Sequence, residues 1–278
     1  MKPYDSNNGG GRSVGVQEAE SSANNANFVT GIGWFDSLLP SGLPVPSSTV
    51  ISGPSGTGKP FVGLSFAGSW LRQGGRVIFI PIHSSYPQLF DRGLRGLHGH
   101  SLQDFPDSHF FILLDTDMDS REGGVEVAGS NSIRCNVVNP QIWQEALDLA
   151  SASMEGQGPI LIFASALNLL LMSPTYGEQF FQMLLETIRN PGGWTYLLAV
   201  SSSILLKKII ILEQAADHLF LMERVSGDPR VLLRAARVRG AGFASSSVPI
   251  PTMPDLVEEL KNDAIASRRI LIPTVSGV

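Results

Sequence analysis

The stretch Ser48–Lys59, STVISGPSGTGK, decides the fold. Its first six residues, STVISG, are uncharged and rich in β-branched side chains, as in a strand buried on both faces. GPSGTGK at Gly53–Lys59 then follows a strand and precedes a helical pattern, the setting that a phosphate-binding loop requires. The chemistry follows from the residue types. Glycines let backbone N–H groups converge on a phosphate, the helix N-terminus adds a partial positive charge, and Lys59 reaches the terminal phosphates. The candidate binding residues are Gly53, Pro54, Ser55, Gly56, Thr57, Gly58, Lys59 and Pro60. The last breaks the pattern. The motif asks for Ser or Thr after the lysine, because that hydroxyl ligates Mg²⁺. Proline has neither a hydroxyl nor a backbone N–H, yet it is tolerated in a first helical turn. One metal ligand and one phosphate donor are lost while the helix survives.

Outward from the loop, apolar runs alternate with helical patterns. Arg76–Ile82, Phe110–Leu114, Ile160–Ala164 and Thr195–Ser201 read as further buried strands. The apolar run Ile160–Met172 reads as a strand with its exit loop. It is too short for a membrane span, which needs about 20 residues. Asn139-Pro140 is an N-cap with proline at the first helical position, and Tyr176–Arg189 reads as a helix stopped by Asn190-Pro191. Alternating strand and helix implies an α/β fold with a mainly parallel sheet and helices on both faces. His218–Met222 and Arg230–Val238, joined at Gly227-Asp228-Pro229, read as a hairpin that closes the sheet. No internal repeat is present. The expectation is one domain over residues 28–278 after a disordered, Asn/Ser/Gly-rich tail at 1–27.

Composition narrows the function. The chain has 278 residues, with 20 Lys+Arg against 25 Asp+Glu and a net charge of −5. That balance argues against a protein that coats phosphate backbones. A single cysteine excludes a disulfide scaffold, and the first 27 residues hold no apolar core of a signal peptide, so a cytoplasmic location is expected. Charged residues are 16% of the chain, against roughly 25% in an ordinary soluble domain. Few charges leave little to cover a surface with, which points to burial by other subunits.

Thr30–Lys59, TGIGWFDSLLPSGLPVPSSTVISGPSGTGK, resembles the opening segment of KaiC-like proteins in the RecA/RadA superfamily of P-loop ATPases. Arg76–Leu89 resembles that family's second strand and helix, Gly158–Leu170 its Walker B strand, and Arg234–Gly240, RAARVRG, its K-x-R-G signature. The resemblance runs over roughly residues 28–245. It implies a RecA-like fold, ATP or ADP as ligand, and a homo- or hetero-oligomeric ring, commonly a hexamer, with nucleotide between neighbours. Carried over residue by residue, it also implies loss. The Walker B Asp falls on Ala164, followed by Ser165. The catalytic Glu positions fall near His83 and Ser84, and the metal-ligating hydroxyl falls on Pro60. This sets the chain against Mg²⁺ and leaves no catalytic residue to assign. Arg237 and Arg239 retain the charge of the K-x-R pair, which in the family reaches a neighbour's nucleotide. A strand would place both on one face.

The expectation is therefore a non-hydrolysing or weakly hydrolysing structural or regulatory ring subunit. The alternatives are an active ATP hydrolase of the KaiC/RadA type and a nucleic-acid-binding recombinase-like module. Other features are weaker. Asp115, Asp117, Asp119 and Glu126 match part of a calcium-loop spacing, but Ser120 stands where glycine is needed and a strand precedes it, so a solvated acidic loop is expected. His98, His100 and His109 lie among Gly and Pro and read as a surface loop. Cys135 reads as a small buried residue. Lys207-Lys208 has apolar flanks that fit a subunit contact. Met253 to Ala266 has apolar residues at helical spacing and reads as an amphipathic helix.

Overall fold

A computed structural model of the chain describes residues 26–81, 86–115, 124–165, 167–224 and 230–251, with Asp255, Glu258 and Asn262 beyond them. The elements run β1 (Ala26–Phe28), α1 (Gly33–Asp36), β2 (Leu43–Val45), β3 (Ser48–Gly53), α2 (Lys59–Arg72), β4 (Arg76–Ile80) and α3 (Tyr86–His98). A 3₁₀ turn at Leu102–Asp104 leads to β5 (His109–Leu114), β6 (Glu126–Gly129), β7 (Ser132–Cys135), α4 (Pro140–Ser153), β8 (Ile160–Ala164), α5 (Leu167–Leu171) and α6 (Gly177–Arg189). The last elements are β9 (Thr195–Ser201), α7 (Leu206–Ala215), β10 (His218–Arg224), β11 (Val231–Val238) and β12 (Val248–Pro249).

Ten strands form one sheet in the order β12-β11-β10-β3-β9-β8-β4-β5-β7-β6. The run from β10 to β7 is parallel throughout, so the carboxyl ends of β3, β4, β5, β8, β9 and β10 share one edge. This is a RecA-like fold, with the expected strands all in one sheet. Alternation along each strand feeds two cores. Val50, Ile78, Ile112, Ile162 and Leu198 face α4, α6 and α7. Ile51, Val77, Phe79, Phe111, Phe163 and Leu197 face α1, α2 and α3. Phe79 is the hub of the second core, with ring centroids 3.9 Å from Phe90 and 5.0 Å from Phe111. Burying each such side chain contributes about 1.5–3 kcal/mol. The opening segment is tied down by polar contacts instead. Thr30 donates through its backbone N and its Oγ1 to Asp36 Oδ1, and its carbonyl accepts from Ser69 Oγ on α2.

Several expectations change at the margins. The hairpin of β10 and β11 does not close the sheet, because β12 adds antiparallel to β11. The opposite edge carries the β6–β7 hairpin, whose four β6 residues are all exposed and carry no apolar alternation to read. The run Ile160–Met172 is a strand followed by the helix α5 rather than by a loop. Ala26 and Asn27, at the end of the expected tail, pair with Val45 and Pro44 in a separate two-stranded sheet; the rest of that tail lies outside the described residues. So do the turn at Gly227–Pro229 and most of the Met253–Ala266 helix, of which Asp255, Glu258 and Asn262 are helical and exposed.

The N-cap read at Asn139 is present, its side chain accepting from Gln141 N at 3.0 Å. Asn139→Ala is expected to cost about 0.5–2 kcal/mol, measured as a lower urea midpoint with an unchanged slope.

Candidate functional site

The phosphate loop stands on the carboxyl edge of the sheet because β3 ends there between two parallel neighbours. Gly53 pairs with Ser201 of β9, and a Cβ at Gly53 would lie 2.5 Å from the Met222 carbonyl of β10. No larger residue fits while β10 stays this close. Gly58 holds φ 76° as the N-cap of α2, a left-handed conformation that side chains disfavour. Pro60 occupies the first turn of α2 without disturbing it, as expected.

Lys59 is 8% exposed. Its ammonium donates to the carbonyls of Gly53 at 2.9 Å and Pro54 at 2.8 Å, and lies 3.5 Å from Thr57 Oγ1. Burial away from water pushes the amine down to about 8. Thr57 Oγ1 itself donates to the Pro54 carbonyl.

The crown of the loop is braced by residues that the sequence does not flag. Ser55 N donates to Ser203 Oγ at 3.1 Å, and Ser55 Oγ pairs with Ser201 Oγ at 2.8 Å. Ser201 is in turn clamped by buried Asn168 on α5, which donates to its carbonyl and accepts from its N–H. Arg224, the last residue of β10, donates to the Gly56 carbonyl at 2.8 Å. The one signal that would have pointed to these residues is position: each lies at or just past the carboxyl end of a parallel strand, where open α/β sheets bind ligands.

Ala164 is fully buried at the end of β8, paired with Ile80 and Leu198. Ser165 donates its N–H to the Ile80 carbonyl. Magnesium needs a shell of oxygen ligands, and the positions onto which the resemblance carries the metal-ligating hydroxyl and the Walker B Asp are Pro60 and Ala164. Among the described residues no three His, Cys, Asp or Glu side chains gather into a metal-binding group. The side chains of Pro60 and Ala164 offer no oxygen ligand. His83 and Ser84 lie outside the described residues.

Arg237 and Arg239 lie at the other end of the sheet from this chain's own loop. His218 pairs with Thr49 on one side and Val238 on the other, so both arginines sit beside the start of β3. At about 3.3 Å per residue, that is on the order of 15 Å from Gly53. Arg237 caps α7, donating to the carbonyls of Glu213 and Ala216, the latter at 2.7 Å. Arg239 pairs with Asp217 at 3.2 Å.

The remaining candidates separate. His98 ends α3 and His109 begins β5, where it is buried with Nδ1 2.7 Å from the Phe105 carbonyl. The expected surface loop is thus two secondary-structure ends, because the flanking Gly and Pro sit in the connection between them. Cys135 is fully buried, as expected, and its thiol is pushed up to about 12. Asp117 and Asp119 lie outside the described residues; Asp115 follows β5 and Glu126 opens β6. Lys207 and Lys208 are on α7. Lys208 pairs with Glu178 at 2.9 Å and lies over the Phe181 ring. Beside them Ile204, Leu206, Ile210 and Ile211 are exposed, Leu206 at 57%. No helix among the described residues is long and apolar enough to cross a membrane.

A family model described as ATPase: KaiC matches residues 28–135. The matched segment carries the phosphate loop and ends at the close of β7; β8 to β12 lie beyond it. The chain is KaiC-like over that segment, in the setting of a RecA-like sheet. No curated protein matches the chain.

Burial of Lys59 has a consequence for stability. The amine titrates at about 8 in the folded chain and at its ordinary 10.5 when unfolded. Between those values the unfolded state holds more protons, so this group makes the protein more stable as pH rises through the window. Lys59→Met is expected to remove on the order of 1–3 kcal/mol of that rise, read from urea unfolding across the same range.

Proposed function

We propose, taking residues 28–135 as a KaiC-like ATPase segment, that this chain binds a nucleoside di- or triphosphate at Gly53–Lys59 without hydrolysing it appreciably. The observation that carries the reading is an asymmetry at one site. The cradle and its cation are built and braced, while Pro60 and buried Ala164 replace the groups that hold a metal. In phosphoryl transfer, positioning and charge stabilisation supply nearly all of the catalysis. Lys59 and the loop N–H groups supply binding and orientation. Neither Pro60 nor Ala164 can hold a charge against the leaving phosphate or orient a water.

A ring component, homomeric or mixed, is the role that suits such a site. Two observations support it. The exposed apolar face of α7 begins directly after Ser201–Ser203, which touch the loop. Arg237 and Arg239 stand away from the chain's own loop, where only a neighbour's nucleotide would meet them.

Fluorescent ATP is expected to bind in EDTA, and Lys59→Ala to weaken that binding roughly 10- to 100-fold, the worth of a charge-assisted hydrogen bond. Turnover is expected orders of magnitude below the ~1–10³ s⁻¹ of ordinary enzymes. Turnover in that range, abolished by Lys59→Ala, would contradict the proposal.

A further inference from the structure

We infer that Arg224 is a second phosphate-binding cation of the loop, supplying within the chain the positive charge that a metal ion would otherwise bring to a bound polyphosphate. The inference rests on the nucleotide-binding reading above and adds to it a residue and a mode of charge neutralisation.

The placement follows from register. β10 runs parallel to β3, with Leu221 level with Ser52, and Arg224 lies three residues further on. It therefore stands beside the loop that follows Gly53, and its Nη2 reaches the Gly56 carbonyl at 2.8 Å. Gly56 holds φ 76° at the crown of the loop. A guanidinium has five N–H donors in a planar fork, and this bond uses one. The fork is thus anchored to the loop and exposed to solvent at the same time.

Among the described residues no carboxylate pairs with Arg224. Glu223, the adjacent residue, points to the opposite face of the strand and pairs with Arg234 at 3.1 Å. Lys59 already donates to the Gly53 and Pro54 carbonyls and is one cation against the several negative charges of a polyphosphate. A polyphosphate entering a loop without metal ligands needs further positive charge, and Arg224 is placed on the loop to give it. Arginine suits the task because its fork matches two phosphate oxygens.

The test is calorimetric binding of ATP to the full chain in EDTA, across a salt series, for the wild type, Arg224→Ala and Arg224→Lys. Arg224→Ala is expected to weaken ATP binding about tenfold or more and to reduce its salt dependence. Arg224→Lys is expected to recover most of both, with the melting temperature of all three proteins alike. Wild-type binding that needs Lys59 but is unchanged in Arg224→Ala would overturn the inference and leave the nucleotide reading standing. Weakened binding that Arg224→Lys does not recover, with a lowered melting temperature, would also overturn it, leaving the residue a brace for the loop and nothing more. A wild type that binds no ATP, or binds it equally well as Lys59→Ala, would instead remove the nucleotide reading itself.

Discussion

A buried ammonium held by carbonyl oxygens is the contact on which the rest of this site depends. Lys59 is fixed on Gly53 and Pro54, at the point where β3 gives way to α2. Its charge is costly to bury, and the loop carbonyls offset that cost by turning inward. The same bonds hold the loop in shape between a strand and a helix that are themselves fixed by two separate cores. Gly53 cannot move away, because β10 leaves no room beside it. The loop is therefore pre-shaped, and an incoming phosphate meets a lysine that is already in place.

Pre-shaping and chemistry are separable here. The sheet edge sets where phosphate goes; side chains at the ends of β8 and α2 set whether it is transferred. Ala164 is packed between Ile80 and Leu198 as an ordinary core residue, and Pro60 is accommodated in a first helical turn. The fold accommodates both residues, so on the proposed reading binding is kept without transfer. The braces at Ser201, Ser203, Asn168 and Arg224 belong to the first category, since they hold or extend the cradle.

The sequence made the parallel strands and the loop legible for one physical reason. Strands buried on both faces are written as unbroken apolar runs, and a glycine-rich turn before a lysine stands out against them. The Asn139 cap was legible because its hydrogen bond is local. What escaped was whatever depends on three-dimensional convergence or on a surface. β6 and β12 are short edge strands without a hydrophobic pattern, and β1 pairs outside the main sheet. Arg237, expected from the resemblance to reach a neighbour's nucleotide, also closes the end of α7 within the chain, a contact between residues over 20 apart in sequence. Exposed apolar side chains gather on α7, where Leu206, Ile210 and Ile211 face outward beside Lys207.

The separation of binding from hydrolysis is tested most directly by phosphorus NMR of ATP held with the full chain, once in EDTA and once in excess Mg²⁺. Phosphate resonances shifted alike in both conditions, with no ADP or inorganic phosphate accumulating, would match this reading. Resonances that shift only when Mg²⁺ is added, followed by steady release of ADP and phosphate that Lys59→Ala abolishes, would contradict it.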